Sequence, residues 1–240
     1  MSTNSSKSVL TYHLTLSDNR TLEYHFNQSE EGIRLVEADN LVPENWMALE
    51  HHQCSNCTLN KKEQPLCPIA TNLSVLLKDW HDSISYDEVE LNVVSKLRTT
   101  SATTTAQKAL SSLLGLIMAT SDCPRTQFFR PMAQFHLPLA SSEETSFRAI
   151  STHLITQFFR KLDGQKNIEF DLQGLLDIYN NMHTVNVFLK KRLESAVEKD
   201  AALNAVVILD LFAITLPTYL DDELEKLKPL FSILVSNIET

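Results

Sequence analysis

The chain has 240 residues, 43% hydrophobic and 21% charged, a balance that suits a folded globular protein able to bury a sizeable core. A net charge of −9 repels phosphate backbones, and the short basic runs Lys61-Lys62 and Lys190-Lys191-Arg192 read as solvated faces, so nucleic acid is not an expected partner. Four scattered glycines (Gly32, Gly115, Gly164 and Gly174) cannot build a Walker loop or a dinucleotide fingerprint, because such loops need several glycines close together for the backbone to approach a phosphate.

Residues 1–7 are rich in Ser and Asn, with no apolar stretch of the kind a secretory signal carries. The first third then reads as β. Leu10, Tyr12, Leu14 and Leu16 alternate with polar residues, as do Leu22, Tyr24 and Phe26. Ser17-Asp18-Asn19-Arg20 between them suits a hairpin turn, since Asp and Asn tolerate a left-handed backbone and bond their own main chain. Residues 33–36 offer a third strand, residues 46–52 are ambiguous between strand and short helix, and residues 86–97 offer a further strand with Val89, Leu91 and Val93 on one face. A small antiparallel sheet of about four strands is expected.

Helical periodicity starts at Cys67-Pro68, where proline at the first helical position loses no hydrogen bond, and continues through Leu73, Leu76, Leu77 and Trp80. From about Thr103 the pattern is helical. Residues 105–119 form a first helix ending at Ser121-Asp122-Cys123-Pro124, and residues 128–135 form a short aromatic segment broken by Pro131. Ser141 and Glu144 match a capping box for a helix running to about Leu162. Residues 171–197 give a long helix, with Leu172, Leu175, Tyr179, Met182, Leu189 and Leu193 inward. An apolar helix from Ala201 and a last segment over residues 221–238 complete a bundle. Asp210 interrupts the apolar helix, which argues for a helix buried in protein rather than in a membrane, and a buried carboxylate there needs a partner. The expected fold is α+β, a β-rich part over residues 1–100 docked on a helical bundle over residues 101–240.

The four cysteines are the chemistry-bearing constellation: Cys54-x2-Cys57-x9-Cys67, with Cys123 far downstream. Four thiols close a tetrahedral metal site or hold one iron–sulfur cluster. The two-residue spacing lets Cys54 and Cys57 face one metal from a single turn, and Cys67 opens a helix whose free N–H groups favour a thiolate. In a reducing cytoplasm such cysteines are metal ligands or redox thiols rather than disulfides. Zinc is favoured by the separated ligand pairs, and an iron–sulfur cluster by the Cys-Pro steps at Cys67 and Cys123. His51 or His52 adjoins the loop as a substitute fourth ligand or a supporting residue, since groups behind the ligands orient them. Residues 125–148 gather Arg130 and His136 into a polar pocket beside the metal, with His136 as an acid/base or substrate ligand, although Glu143 and Glu144 also read as ordinary charges at a helix N-terminus and Glu144–Arg148 as an ordinary i,i+4 pair.

The strings Gln53-Cys54-Ser55-Asn56-Cys57, Cys67-Pro68-Ile69-Ala70, Ser121-Asp122-Cys123-Pro124 and Arg130-Pro131-Met132 to Phe135-His136-Leu137-Pro138 resemble a bacterial family of unknown function with a four-cysteine pattern, over residues 46–193. The resemblance implies a shared fold and cysteines that belong together, without an established activity. The combined expectation is a cytoplasmic metal-binding protein acting on a protein or small-molecule partner, with no nucleic-acid or membrane role.

Overall fold

A computed structural model describes residues 8–36, 42–80 and 82–236. Residues 1–7 and the expected helix end at 237–238 lie outside the described residues. Strand alternation builds the sheet. In β1 (Leu10–Leu16) every second side chain is buried, and β1 takes the central place in an antiparallel sheet of order β3-β2-β1-β4-β5. β2 (Thr21–Ser29) pairs with it so that Leu10 faces Phe26 and Tyr12 faces Tyr24. β3 (Gly32–Leu35) lies on the outer side of β2, and β4 (Glu88–Ser95) pairs with β1 on the other side, burying Val89, Leu91 and Val93. The β1–β2 turn forms as its residues require: Asn19 has φ +66°, and the Asp18 carboxylate accepts the Arg20 N–H at 3.0 Å.

The fifth strand, β5 (Thr99–Thr105), is absent from the sequence expectation, which placed helix from about Thr103. Its segment TTSATTT has β-branched residues but no apolar alternation. As an edge strand paired only with β4, it half-buries one face through Thr100, Ala102 and Thr104, and because these are small or polar residues the apolar alternation that marks a half-buried strand never arises.

Seven α-helices are present among the described residues. α1 (Pro68–Trp80) starts at the Cys67-Pro68 step as expected, and its last turn is tied to the sheet. The Trp80 indole N–H donates to the Tyr24 hydroxyl (3.0 Å), which donates to the Asp79 carboxylate (2.8 Å). α2 (Ala106–Ala119) packs on α1 and on β4 and β5. After a 3₁₀ turn, α3 (Arg130–Gln134) carries Pro131 in its first turn, where the missing N–H is harmless. α4 (Ser142–Leu162) has the expected capping box in full: the Glu144 N–H reaches Ser141 Oγ at 3.1 Å, and the Ser141 N–H reaches Glu144 Oε2 at 2.8 Å.

α5 (Gln173–Leu193) and α6 (Ala201–Thr218) form the main helical pair, and α7 (Leu220–Ser236) closes the chain. The partner that Asp210 needs is His183 of α5, with Nδ1 and Oδ1 2.9 Å apart. α6 is long and apolar enough to cross a membrane by length and composition, with 33% of that stretch buried. Its small residues Ala202, Ala205, Val206 and Ala213 are buried, whereas Leu211 and Ile214 are exposed, so burial in protein holds for one face only. One hydrophobic cluster runs from Tyr12 and Phe26 of the sheet through Leu113 of α2 to Leu189 and Ala205 of the helical pair.

Candidate metal centre

The ambiguous stretch at Trp46 is one 3₁₀ turn (Asn45–Met47) followed by a single antiparallel bridge, Ala48 to Leu66. This bridge, with the Leu49 N–H on the Pro65 carbonyl (2.8 Å) and the Cys67 N–H on the Met47 carbonyl (2.8 Å), pinches residues 49–66 into a closed loop. Within it the Cys57 N–H donates to the Cys54 carbonyl at 3.0 Å, so the pair shares one tight turn. Two arms hold that turn in place. Asn56 Nδ2 donates to the Asn181 backbone and side-chain oxygens on α5 (3.1 and 3.0 Å), and Arg125 Nε, two residues past Cys123, donates to the Asn56 carbonyl at 2.7 Å. Cys67 sits at the head of α1, its carbonyl accepting the Thr71 N–H at 2.9 Å.

All four cysteines are free thiols, Cys123 buried and the others half-buried. They are close enough for their charges to act on one another: Cys67, Cys123 and Cys57 all act on Cys54, and Cys67 and Cys57 on Cys123. Burial, reinforced by these neighbours, pushes the Cys54 thiol up to about 12. Burial likewise raises Cys123 to about 11, against the opposing pull of the backbone N–H groups of Arg125 and Thr126 on its sulfur. Among the described residues no three His, Cys, Asp or Glu side chains stand close enough together to hold a metal ion. The thiols are neighbours rather than a closed coordination shell.

Sequence reasoning missed Arg192. The run Lys190-Lys191-Arg192 reads as a solvated face, yet Arg192 is only 3% exposed. Its Nη1 donates to the Trp46 and Ala48 carbonyls and its Nη2 to the Leu49 carbonyl (3.2 Å), so one guanidinium grips the neck of the cysteine loop. Burial lowers its pKa, and the nearby Cys67, Cys54 and Cys57 act in the opposite direction. No carboxylate among the described residues lies within ion-pair distance of it. The usable signal was helical period: Val185, Leu189 and Arg192 fall on one face of α5, and Lys190 and Lys191 on the other.

The remaining expected site residues divide. His51 stays beside the loop, its Nε2 3.1 Å from Ser195 Oγ, its ring edge-on to His52 at 4.7 Å, and its pKa lowered by burial and by the charges of His52 and Arg192. His52 adopts φ +47°, a left-handed turn that redirects the chain into the cysteine loop. Arg130 pairs with Glu31 (2.6 Å) and Asp122 (3.3 Å), and Arg34 of β3 joins Asp122 at 2.9 Å. That network clamps the residue before Cys123 to the sheet edge, so Arg130 positions the turn by its ion pairs.

His136 does not join the cysteines. Its Nε2 is hydrogen-bonded to the Tyr12 hydroxyl, which lies 3.0 Å from Ser112 Oγ. Burial, then the Arg148 charge, pulls the imidazole down to about 3, which favours the neutral ring near neutral pH. A histidine held neutral by the fold stabilises it fully above about pH 6.5, and that contribution is lost as pH falls through the range from there to about 3, by about 1.4 kcal/mol per unit. In urea melts the protein should therefore lose stability between about pH 6 and pH 4 more steeply than His136→Gln, which keeps a hydrogen-bonding group for Tyr12. Parallel curves would mean the ring is not held neutral by its burial and by Arg148.

No curated protein and no solved structure matches the chain. A family model does, and over a wider span than the residues that first carried the resemblance. The match covers residues 10–232, and the chain belongs to this family, described as a domain of unknown function (DUF6901).

Proposed function

We propose that this is a cytoplasmic metal-binding protein in which Cys54, Cys57, Cys67 and Cys123 hold one zinc ion, and that the loaded site is a structural staple shaping a surface for a protein or small-molecule partner. Neither nucleic acid nor a membrane enters this reading. The observation that carries it is the buried Arg192 beside the thiols without a carboxylate. Backbone carbonyls accept three of its hydrogen bonds but leave its charge unmatched, and an unmatched buried charge costs several kcal/mol. Protonated thiols supply no anion. A divalent ion with four thiolates carries a net charge of −2, which is the counter-charge this guanidinium lacks.

Two further features support thiolates here: the head of α1 at Cys67, and the backbone N–H groups of Arg125 and Thr126 acting on Cys123. Closing the shell needs the sulfurs to draw inward, with release of their protons. An iron–sulfur redox or sensor site on the same cysteines is the rival reading, favoured by the Cys-Pro steps that both open turns in the fold.

Elemental analysis of protein purified without air decides between them. Colourless protein with one zinc per chain is the expected result, and Cys123→Ser should lose zinc. Brown protein containing iron and acid-labile sulfide would assign the cluster instead. Protein that arrives without metal and takes up neither zinc nor a reconstituted cluster would overturn both.

A further inference from the structure

A cavity of about 750 Å³ opens among α2, α4, α5 and α6, and none of the four cysteines lines it. Its size is that of a small-molecule site. Most of the wall is apolar: Gly115 and Met118 from α2, Met182 from α5, and Leu209, Phe212 and Leu216 from α6. Phe129 and Phe212 flank Tyr179 edge-on, with ring centres 5.6 and 5.5 Å away. Such a wall favours an apolar body of matching shape.

The polar groups on that wall are unusually short of partners. Ser146 and Asn186 are 1% and 2% exposed, yet Ser146 Oγ and Asn186 Oδ1 have no hydrogen-bond partner. The Ser146 hydroxyl faces the Glu223 carboxyl and helps hold its pKa down, although neither Ser146 Oγ nor Glu223 Oε2 completes a well-formed hydrogen bond. Tyr179 is a buried residue whose hydroxyl forms no hydrogen bond among the described residues and lies within reach of the Arg148 charge. Arg148 uses Nη2 for the Met132 and Phe135 carbonyls, which leaves Nε and Nη1 unused. A native interior seldom leaves this many buried polar groups unsatisfied unless something else satisfies them.

Charge selects the ligand class. Glu223 is already matched by Lys226 at 2.6 Å, and His136 is neutral. Lys108 stands exposed at the rim. Arg148 is therefore the half-buried charge on the wall without an ion pair among the described residues; the Glu144 carboxylate acts on it only from beyond ion-pair distance. One guanidinium beside one phenol suits a single negative charge with two acceptor oxygens.

We propose that this cavity binds an apolar small molecule bearing one carboxylate, with the carboxylate on Arg148 and Tyr179 and the apolar body between α2 and α6. The proposal does not rest on the metal reading.

Calorimetric titration of the full chain tests it. The probes are dodecanoate and 2-naphthoate, two shapes of the same chemistry, with dodecanol and dodecylamine as neutral and cationic counterparts, all below micelle-forming concentrations. At least one carboxylate should bind once per chain, about tenfold or more tighter than the alcohol. Arg148→Met should bring carboxylate affinity down to the level of the alcohol and leave alcohol binding unchanged. Because Arg148 also holds two carbonyls, Tyr179→Phe provides a second variant that preserves packing. It should weaken carboxylate binding about threefold or more without affecting the alcohol. No binding of either carboxylate, or equal binding of acid, alcohol and amine, would overturn the proposal.

Discussion

On the proposed zinc reading, protein treated with a strong chelator is expected to melt far below the zinc-loaded form. A structural zinc contributes on the order of 10 kcal/mol to folding, comparable with the entire stability of an ordinary domain. The loop of residues 49–66 shows why the dependence should be strong. Its neck is held by one isolated bridge of two backbone hydrogen bonds and by the Arg192 guanidinium on three carbonyls, and its tip by Asn56 and Arg125. These polar contacts contribute about 1 kcal/mol each, too little to offset the conformational entropy of so long a segment. Loss should therefore begin in this loop and at the head of α1, visible as accelerated amide hydrogen exchange there before the sheet responds. Cys67→Ser should reproduce the effect, since its Oγ is a poor zinc ligand beside a thiolate. Coincident melting curves for loaded and stripped protein would end the staple role.

Arg192→Met should destabilise the protein by about 3–5 kcal/mol, because it leaves the carbonyls of Trp46, Ala48 and Leu49 without their donor in a buried site. Arg192→Lys separates the two roles of the side chain. A lysine ammonium keeps the charge but lacks the planar fork that spans three carbonyls. Stability should remain low in the lysine variant, while zinc affinity should return close to that of the native chain. In the methionine variant zinc affinity should fall about tenfold or more, the loss of one nearby compensating charge. Denaturant melts and competitive zinc titrations read the two effects independently. Equal zinc affinity in all three proteins would show that the guanidinium is only a carbonyl clamp.

Much of the fold was legible because its determinants are local. The alternation of β1, the Asp18-Asn19 turn, the Pro68 helix start and the Ser141–Glu144 box each work within a few residues, and each appears as expected. β5 shows the limit of that approach. A polar edge strand exists because β4 offers it hydrogen bonds, and nothing in TTSATTT announces that partner. The same holds for His183 and Asp210: the carboxylate declared its need, but the helix pairing chose the histidine 27 residues away.

The candidate site divides along the same line. By itself the sequence determined that Cys54 and Cys57 share a turn and that Cys67 heads a helix, because both follow from backbone spacing over three or four residues. Only the tertiary structure decided that Cys123 comes near enough to act on them, through the Arg125 arm on Asn56. It also sent His136 to Tyr12 and brought Arg192 inward, against the reading of a basic run as solvated surface. The physical reason is common to all three. A side chain's neighbours across 60 to 150 residues are set by how helices and sheet close on one core, and short-range patterns carry no record of that closure.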